Sequence, residues 1–104
     1  MERVIFNTTY HVNRLFVARW LDFFKQYIKP RIEQNVAFSD CRICKVLVGN
    51  SPEDETFAVQ FYAESRVLLD AWLEKEGHLL DVYMRKTFGE NVLTFSVFME
   101  EVVL

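Results

Sequence analysis

The side chains best suited to chemistry in the first apolar segment are Asn7 and His11. An imidazole titrates near neutral pH, so His11 is a candidate general base. The Asn7 amide is a candidate to orient a carbonyl or an oxyanion. Each has an ordinary alternative: His11 can meet solvent or a partner chain, and Asn7 can satisfy a neighbouring backbone group. The sequence has no Ser–His–Asp order, glycine-rich phosphate loop or spaced carboxylate pair, so it decides neither for nor against an enzyme.

Four further side chains are candidates for binding a ligand: Gln60, Tyr62, Arg42 and Trp20. Gln60 and Tyr62 are two residues apart in a strand-like segment, and they therefore share one face. Arg42, on a predicted edge strand, suits an anionic ligand, although such an arginine usually pairs with a surface carboxylate. Trp20 is large enough to form the wall of a cavity, as is Trp72. A tryptophan at helical spacing is nevertheless more often part of the core.

Cys41 and Cys44 form a C-x-x-C pair, a spacing typical of redox-active dithiols and of half a zinc site. Both lie in a β-branched, strand-like run, and an extended strand turns residues three apart toward opposite faces. The sequence has no second cysteine pair, and its two histidines are distant from each other. We therefore expect two reduced, inert thiols and neither a metal nor a cofactor, with metal or redox chemistry as the alternative.

Length and composition indicate one domain over residues 1–104, with more apolar material than the core of one chain needs. The net charge is −3 and the densest basic run is Arg85-Lys86, so nucleic acid is not an expected partner. No apolar run approaches the roughly 20 residues that span a membrane, so no membrane partner is expected. The start, Met1-Glu2-Arg3-Val4, enters a strand at once and leaves no room for a signal peptide, which predicts a cytoplasmic location.

The period of the apolar residues along the chain predicts the fold class. It is about two, then about 3.6, then about two in two successive segments, then about 3.6, then about two. The strand-like segments are Arg3 to Val12, Cys41 to Val48, Thr56 to Ala63 and Val92 to Val103. This order is that of a ferredoxin-like βαββαβ sandwich, in which two helices cover one face of a four-stranded antiparallel sheet.

Several residues predict where the helices begin, bend and end. Asn13 and Ser65 are suited to cap the first and second helices, because their side chains accept a hydrogen bond from a free backbone N–H. Pro30 kinks or ends the first helix, and we favour a kink with one further turn. Gly77 interrupts the second helix, either as a C-cap between two short helices or as a bend in one. In that helix Leu68, together with Trp72 and Leu79 or Leu80, is expected to face inward.

The two faces of the predicted sheet differ in composition. Alternation predicts that the helix-facing residues are Phe6, Tyr10, Val59, Phe61, Phe95 and Val97. The opposite face then contains Asn7, Thr9, His11, Gln60, Tyr62, Thr94, Ser96 and Phe98. A face of uncharged polar and aromatic residues beside an apolar edge strand suits burial against a second sheet. We therefore predict a homodimer through this face, with a small-molecule pocket lined by the same residues as the alternative.

Several segments resemble a family of short bacterial proteins of unknown function with a ferredoxin-like fold. These segments are Ile5 to Val12, Tyr27 to Pro30, Gln60-Phe61, Phe88-Gly89 and the closing run from Leu93 to Glu100. The resemblance implies a fold and a dimer but no assigned activity. In outline the chain is also similar to the wider set of dimeric α+β barrels, which includes cofactor-independent monooxygenases and small isomerases. Likeness at the level of the fold does not transfer chemistry.

Two functions are compatible with these observations. The first is a homodimeric binding or assembly module without catalysis, in which Gln60 and Tyr62 contribute to the interface. The second is a cofactor-independent enzyme, monooxygenase- or isomerase-like, acting on a small aromatic or carbonyl compound with His11 as base and Asn7 as polariser. The second requires a cavity between sheet and helices of about 300 Å³.

Overall fold

The computed structural model describes residues 3–49 and 51–104 and contains one four-stranded antiparallel sheet. Its strands are β1 (Val4–Asn13), β2 (Phe38–Lys45), β3 (Asp54–Ala63) and β4 (Val92–Glu100). They lie in the order β2-β3-β1-β4, which places β1 and β3 in the centre. Two helical segments connect β1 to β2 and β3 to β4. The predicted ferredoxin-like fold is confirmed.

Both helical segments are interrupted by a π-helical turn. The first consists of a 3-10 turn (Arg14–Phe16), α1 (Val17–Phe23), a π turn (Phe24–Ile28) and α2 (Lys29–Glu33). The second consists of α3 (Arg66–Trp72), a π turn (Leu73–Gly77), α4 (His78–Phe88) and a 3-10 turn (Gly89–Asn91). No helix in the described ranges is both long and apolar enough to span a membrane.

The predicted caps are present, and the helices bend where the sequence indicated. The Asn13 side chain accepts a hydrogen bond from the backbone N–H of Leu15 at 3.0 Å. The Ser65 hydroxyl accepts one from the backbone N–H of Leu68 at 3.2 Å. Pro30 lies in the first turn of α2, which follows the first π turn directly. The first helical segment therefore continues for a further turn beyond Pro30, as predicted.

Gly77 has helical backbone angles and the chain continues into α4, so it is a point within one helical segment and not a C-cap. The inward position of α3 is Leu69, which is fully buried, whereas Leu68 is 45% exposed. The expectation for Leu68 was therefore wrong. The two leucines are adjacent and chemically equivalent, so apolar spacing alone did not distinguish them.

The core lies between the helices and one face of the sheet. Side chains of β1 and β3 at alternate positions form its floor, and both helical segments close it from above. Trp20, Leu69 and Val12 are the largest fully buried side chains. The molecule measures 42 × 32 × 17 Å along its principal axes. Residues 3–49 and 51–104 place helices on one side of the sheet and no second layer on the other. We call this uncovered side the outer face.

The phase of β4 is opposite to the sequence-based expectation. Paired residues on neighbouring antiparallel strands share a face. Thr94 pairs with Tyr10, Ser96 with Thr8 and Phe98 with Phe6, so all three residues of β4 face the helix side. The positions predicted to face the helices, Phe95 and Val97, lie on the outer face. The physical reason is that the helices leave β4 uncovered: every residue from Leu93 to Glu100 is exposed.

Strand boundaries also differ from expectation. β2 begins at Phe38 and ends at Lys45, earlier than the predicted segment at both ends, and β4 ends at Glu100. Phe38 is buried and pairs with Ala63, so packing extends β2 in the N-terminal direction. A register shift between Ser39 and Arg42 marks a bulge, and Asp40 there has a φ of 54°. Of the predicted N-terminal start, Met1 and Glu2 lie outside the described residues.

Candidate functional site in the cleft between sheet and helices

A cavity of about 310 Å³ lies between the helix-facing side of the sheet and the second helical segment. Its apolar lining comes from the sheet (Phe6 and Phe61) and from the helices (Trp72, Leu80 and Met84). Its volume lies at the lower end of the range for pockets that bind small molecules. The volume agrees with what the enzyme hypothesis requires.

Four hydroxyl groups line the sheet side of the cavity: Thr8 and Tyr10 on β1, and Thr94 and Ser96 on β4. We call them the hydroxyl quartet. The strand register pairs Thr8 with Ser96 and Tyr10 with Thr94. Thr8 Oγ1 and Ser96 Oγ share a hydrogen bond of 2.9 Å. The residues on β1 are buried and those on β4 are exposed, so the cavity opens along β4.

Tyr10 is the most deeply placed polar group of the quartet. Its ring centroid lies 4.8 Å from that of Trp20, which packs behind it. Burial raises the pKa of the Tyr10 hydroxyl far above its ordinary value, and the nearby Asp81 carboxylate raises this pKa further. The phenol is therefore protonated at neutral pH, and it can donate a hydrogen bond into the cavity.

The wall opposite the sheet is formed at the second π turn. Leu73 and Gly77, its first and last residues, both line the cavity. A Cβ at Gly77 would approach Leu73 Cδ2 to 3.1 Å and Trp72 Cζ3 to 3.3 Å, so a glycine lets the helix lie close to the indole. The Trp72 indole donates a hydrogen bond to Glu76 Oε2 at 3.0 Å, which holds the ring in place. Such π turns occur frequently at functional sites.

Two ionisable groups of α4 lie at the mouth of the cavity: His78, which is exposed, and Asp81. Asp81 Oδ2 forms an ion pair with Arg85 Nε at 3.1 Å. Among the described residues, no lysine or arginine lines the cavity. The ionisable groups at the mouth are therefore the Asp81 carboxylate and the His78 imidazole.

The predicted catalytic residues do not line this cavity, because both lie on the outer face. His11 Nδ1 shares a hydrogen bond of 3.0 Å with Thr56 Oγ1, and its ring centroid is 5.9 Å from that of Phe95. Asn7 Nδ2 donates to Thr9 Oγ1 at 3.4 Å. Asn7 Oδ1 is buried and has no hydrogen-bond partner among residues 3–49 and 51–104. Their catalytic roles stay predictions.

Three of the predicted ligand-binding residues also lie on the outer face, so the structure brings them near Asn7. Gln60 pairs with Asn7 on one side and with Arg42 on the other. The Arg3 guanidinium carbon lies 4.0 Å from the centroid of the Tyr62 ring. The outer face is therefore a polar cluster on the central strands, bordered by the apolar side of β4.

Trp20, the fourth predicted ligand-binding residue, is fully buried behind Tyr10 and does not line the cavity. Its ring stacks on those of Phe24 and Phe57, at centroid distances of 5.9 Å and 5.3 Å. Its Nε1 has no hydrogen-bond partner in the described part of the chain. Trp72, and not Trp20, is the tryptophan of the cavity wall.

Sequence reasoning missed the polar residues of the cavity. One signal was available in β1, where Thr8 stands between Phe6 and Tyr10 on the core-facing side and interrupts an otherwise aromatic row. The polar alternation of Thr94 and Ser96 was recognised but was assigned to the wrong face. His78 and Asp81 have no local sequence signal, because only the tertiary fold brings them to the mouth.

The two cysteines lie on different sides of the sheet. Cys41 packs against the core, and burial raises the pKa of its thiol. Cys44 is exposed and pairs with Ala58, an outward-facing residue of β3. In residues 3–49 and 51–104, no three side chains of His, Cys, Asp or Glu are grouped so that they could hold a metal ion.

The fold and the cavity define a ferredoxin-like α+β domain, and solved structures share this architecture. A proposed antibiotic biosynthesis monooxygenase from Bacillus cereus is 17% identical, with a TM-score of 0.70, over 100% of this chain and 97% of its own. Another from Deinococcus radiodurans is 14% identical, with a TM-score of 0.76, over 97% and 94%. An ethyl tert-butyl ether d (ethd) family protein from Bacillus halodurans is 18% identical, with a TM-score of 0.64, over 98% and 100%.

At these identities the similarity shows the fold alone. The family is shown by sequence: the model of a domain of unknown function, DUF4286, matches residues 3–102, and the chain belongs to this family. The resemblance noted from the sequence is thereby confirmed. No curated protein matches the chain.

Proposed function

We propose that this protein is a homodimeric domain that binds a small molecule in the cavity between its sheet and helices. The observation that carries the proposal is the cavity itself, which combines an aromatic and aliphatic lining with the hydroxyl quartet. A mostly apolar pocket with a few convergent polar groups is the usual form of a ligand site.

The homodimer is supported by the composition of the outer face. Leu93, Phe95, Val97 and Met99 form an exposed apolar row on β4. Between Ile5 and His11 on β1, and at the residues opposite them on β3 and β4, the outward-facing side chains carry no charge other than that of protonated His11. A contiguous apolar and uncharged surface of this kind marks an interaction site.

A second copy of this chain is the occupant that fits the outer face best. Four strands of eight to ten residues span about 20 Å by about 30 Å, or about 600 Å² in projection. Side-chain relief adds to this projected area, which brings it close to the roughly 800 Å² per partner of a stable interface. The part of the face formed by β1, β3 and β4 has uncharged side chains from Ile5 to His11 and at the paired residues, and a twofold axis through it would place these side chains opposite one another. Arg42 on β2 and Arg3 beside Tyr62 lie at the border of this part.

Filling the cavity should abolish ligand binding. We expect 1-naphthol, titrated by calorimetry, to bind the wild-type protein once per chain and to bind Ser96→Phe at least tenfold more weakly. Ser96 lies at the mouth and faces the cavity, so a phenyl ring there occupies the space that the ligand needs.

The matched control is Thr87→Phe, which adds the same ring on the exposed side of α4 and should leave binding unchanged. Wild-type protein that shows no heat of binding would contradict the proposal. So would a Ser96→Phe variant that binds as the wild type does, because the ligand would then lie elsewhere.

A cofactor-independent enzyme acting in the same cavity is the second candidate. It is favoured by the Tyr10 hydroxyl, which belongs to the cavity lining and can donate a hydrogen bond to a carbonyl or phenolic oxygen. It is also compatible with the fold shared with proposed monooxygenases, although fold alone does not transfer activity. The imidazole nearest this site is that of His78 at the mouth, since His11 lies on the other side of the sheet.

An oxidation test separates this candidate from simple binding. If the cavity catalyses oxygenation of a phenol, 1-naphthol and O₂ give 1,4-naphthoquinone and water, and oxygen uptake matches the quinone formed. We then expect Tyr10→Phe to lower the rate at least tenfold, since removal of one stabilising donor has effects of this order or larger. If 1-naphthol binds but no oxygen is consumed, the enzyme candidate is excluded for this compound and binding is the function that the result supports.

A further inference from the structure

We propose that the cavity selects an uncharged, flat aromatic molecule that carries a hydroxyl or carbonyl oxygen, and that it discriminates against carboxylates. This inference rests on the proposed function, because it names the chemical class of the ligand that the same cavity binds. Three features carry it: the aromatic lining, the hydroxyl quartet, and the absence of a cationic side chain from the lining of the cavity in the described residues.

The preference for a flat ring follows from the aromatic groups around the cavity. Phe6 and Phe61, on adjacent strands, have ring centroids 5.6 Å apart. Trp72, from the opposite wall, lies 6.1 Å from Phe61 in an edge-on arrangement. Aromatic groups attract a further ring in offset-stacked or edge-to-face geometry beyond the gain from burial alone. A planar ligand packed against this ring cluster therefore gains more than an aliphatic one of equal volume.

The requirement for oxygen follows from the hydroxyl quartet. A hydroxyl is both donor and acceptor, so the quartet can bind a ligand hydroxyl or a ligand carbonyl. Tyr10 is protonated and serves as a donor. The backbone positions of neighbouring members are about 5 Å apart across the strands and about 7 Å apart along them, so the quartet extends over two pairs of residues and can contact oxygens at different positions of a fused ring. A hydrocarbon without oxygen would leave buried polar groups without partners, which costs affinity.

Discrimination against carboxylates follows from the charges at the mouth. The described lining contains Asp81 but neither lysine nor arginine, and His78 is the one other ionisable group on α4 that borders it. Arg85 pairs with Asp81, but its side chain is 75% exposed and is not part of the lining. A ligand carboxylate would therefore lose its hydration, find no lysine or arginine in the lining to pair with, and lie near the negative charge of Asp81.

Three compounds with the same ring system test the inference: naphthalene, 1-naphthol and 1-naphthoate, each titrated into the wild-type protein by calorimetry. We expect 1-naphthol to bind about two- to tenfold more tightly than naphthalene, as one net hydrogen bond predicts. We expect 1-naphthoate to bind at least tenfold more weakly than 1-naphthol. Asp81→Asn should strengthen binding of 1-naphthoate relative to that of 1-naphthol about fivefold or more, so the ratio of the two affinities measured in the same variant is the readout.

The matched control is Asp70→Asn, which removes a carboxylate from the other i, i+4 arginine pair, Arg66–Asp70, outside the cavity. This control should change neither affinity. If none of the three compounds binds, the proposed function itself fails. If naphthalene binds as tightly as 1-naphthol, or if 1-naphthoate binds most tightly, the cavity is a ligand site but the inferred ligand class is wrong. An unchanged ratio of these two affinities in Asp81→Asn would also overturn the role of Asp81.

Discussion

Val97→Arg is expected to prevent the proposed homodimer from forming and to leave a monomer. Val97 lies on the outer face opposite Asn7, and its side chain is 42% exposed in the single chain. A guanidinium at this position would be buried in the interface without a partner, and the twofold axis would introduce it twice. Leaving a charge buried and unpaired costs about 3–5 kcal/mol, so the dissociation constant should rise at least about a hundredfold.

Light scattering over a dilution series measures this effect. The wild-type protein should have a mass near twice 12.4 kDa, and the variant a mass near 12.4 kDa at the same concentrations. Ser96→Arg is the matched control: it makes the same substitution one residue away on β4, on the side that faces the cavity, and it should remain dimeric. Gln60→Ala and Tyr62→Ala, also on the outer face, should weaken the dimer by smaller amounts. A monomeric wild-type protein, or dissociation by Ser96→Arg as well, would contradict the proposed interface.

The element order could be predicted from the sequence because local signals and tertiary packing agree along most of the chain. Asn13 and Ser65 cap helices as their side-chain chemistry favours, and Pro30 is accommodated at the start of a helical turn. The alternation of β1 and β3 also predicted the correct face, because both strands are central and lie beneath the helices. At these positions, the alternation of apolar residues follows directly from burial within one chain.

The same reasoning failed in β4 because its apolar side does not face the core of its own chain. Phe95 and Val97 lie on the outer face, and Thr94 and Ser96 lie toward the helices. Apolar alternation shows that a strand buries one side but not which layer covers it. An apolar side turned away from the helices is what a strand within an interface requires. The error is thus itself an argument for the homodimer.

The cavity could be predicted only in part. Thr8 was visible as a polar interruption of an aromatic row, but His78 and Asp81 follow a π turn. A π turn accommodates an extra residue, which rotates the following helix by about 100° relative to an uninterrupted α-helix. The period of 3.6 therefore does not show which face of α4 borders the cavity. The position of this turn is set by packing around Gly77 and Trp72, which no local pattern reports.

Trp20→Ala should have the largest effect on stability. The indole is fully buried and packs against Tyr10, Phe24 and Phe57. Truncating such a side chain removes its buried area and leaves a cavity, at a cost of about 3–5 kcal/mol in the free energy of unfolding. This is a large share of the roughly 5–15 kcal/mol that stabilise a domain. Urea denaturation measures it most cleanly in the Val97→Arg background, where dimerisation does not contribute to the stability.

Leu21→Ala is the matched control for Trp20→Ala, because Leu21 lies on the same helix and is 38% exposed. This substitution should lower the free energy of unfolding by about 1 kcal/mol or less.

Trp20→Phe distinguishes packing from hydrogen bonding. The Trp20 Nε1 has no partner in the described residues, so its loss removes an unsatisfied donor and only the smaller ring weakens the packing. We expect Trp20→Phe to be clearly more stable than Trp20→Ala and to bind 1-naphthol as the wild type does, since Trp20 supports Tyr10 from behind and does not line the cavity. A loss of less than 1 kcal/mol in Trp20→Ala would show that this aromatic cluster does not hold the floor of the cavity in place.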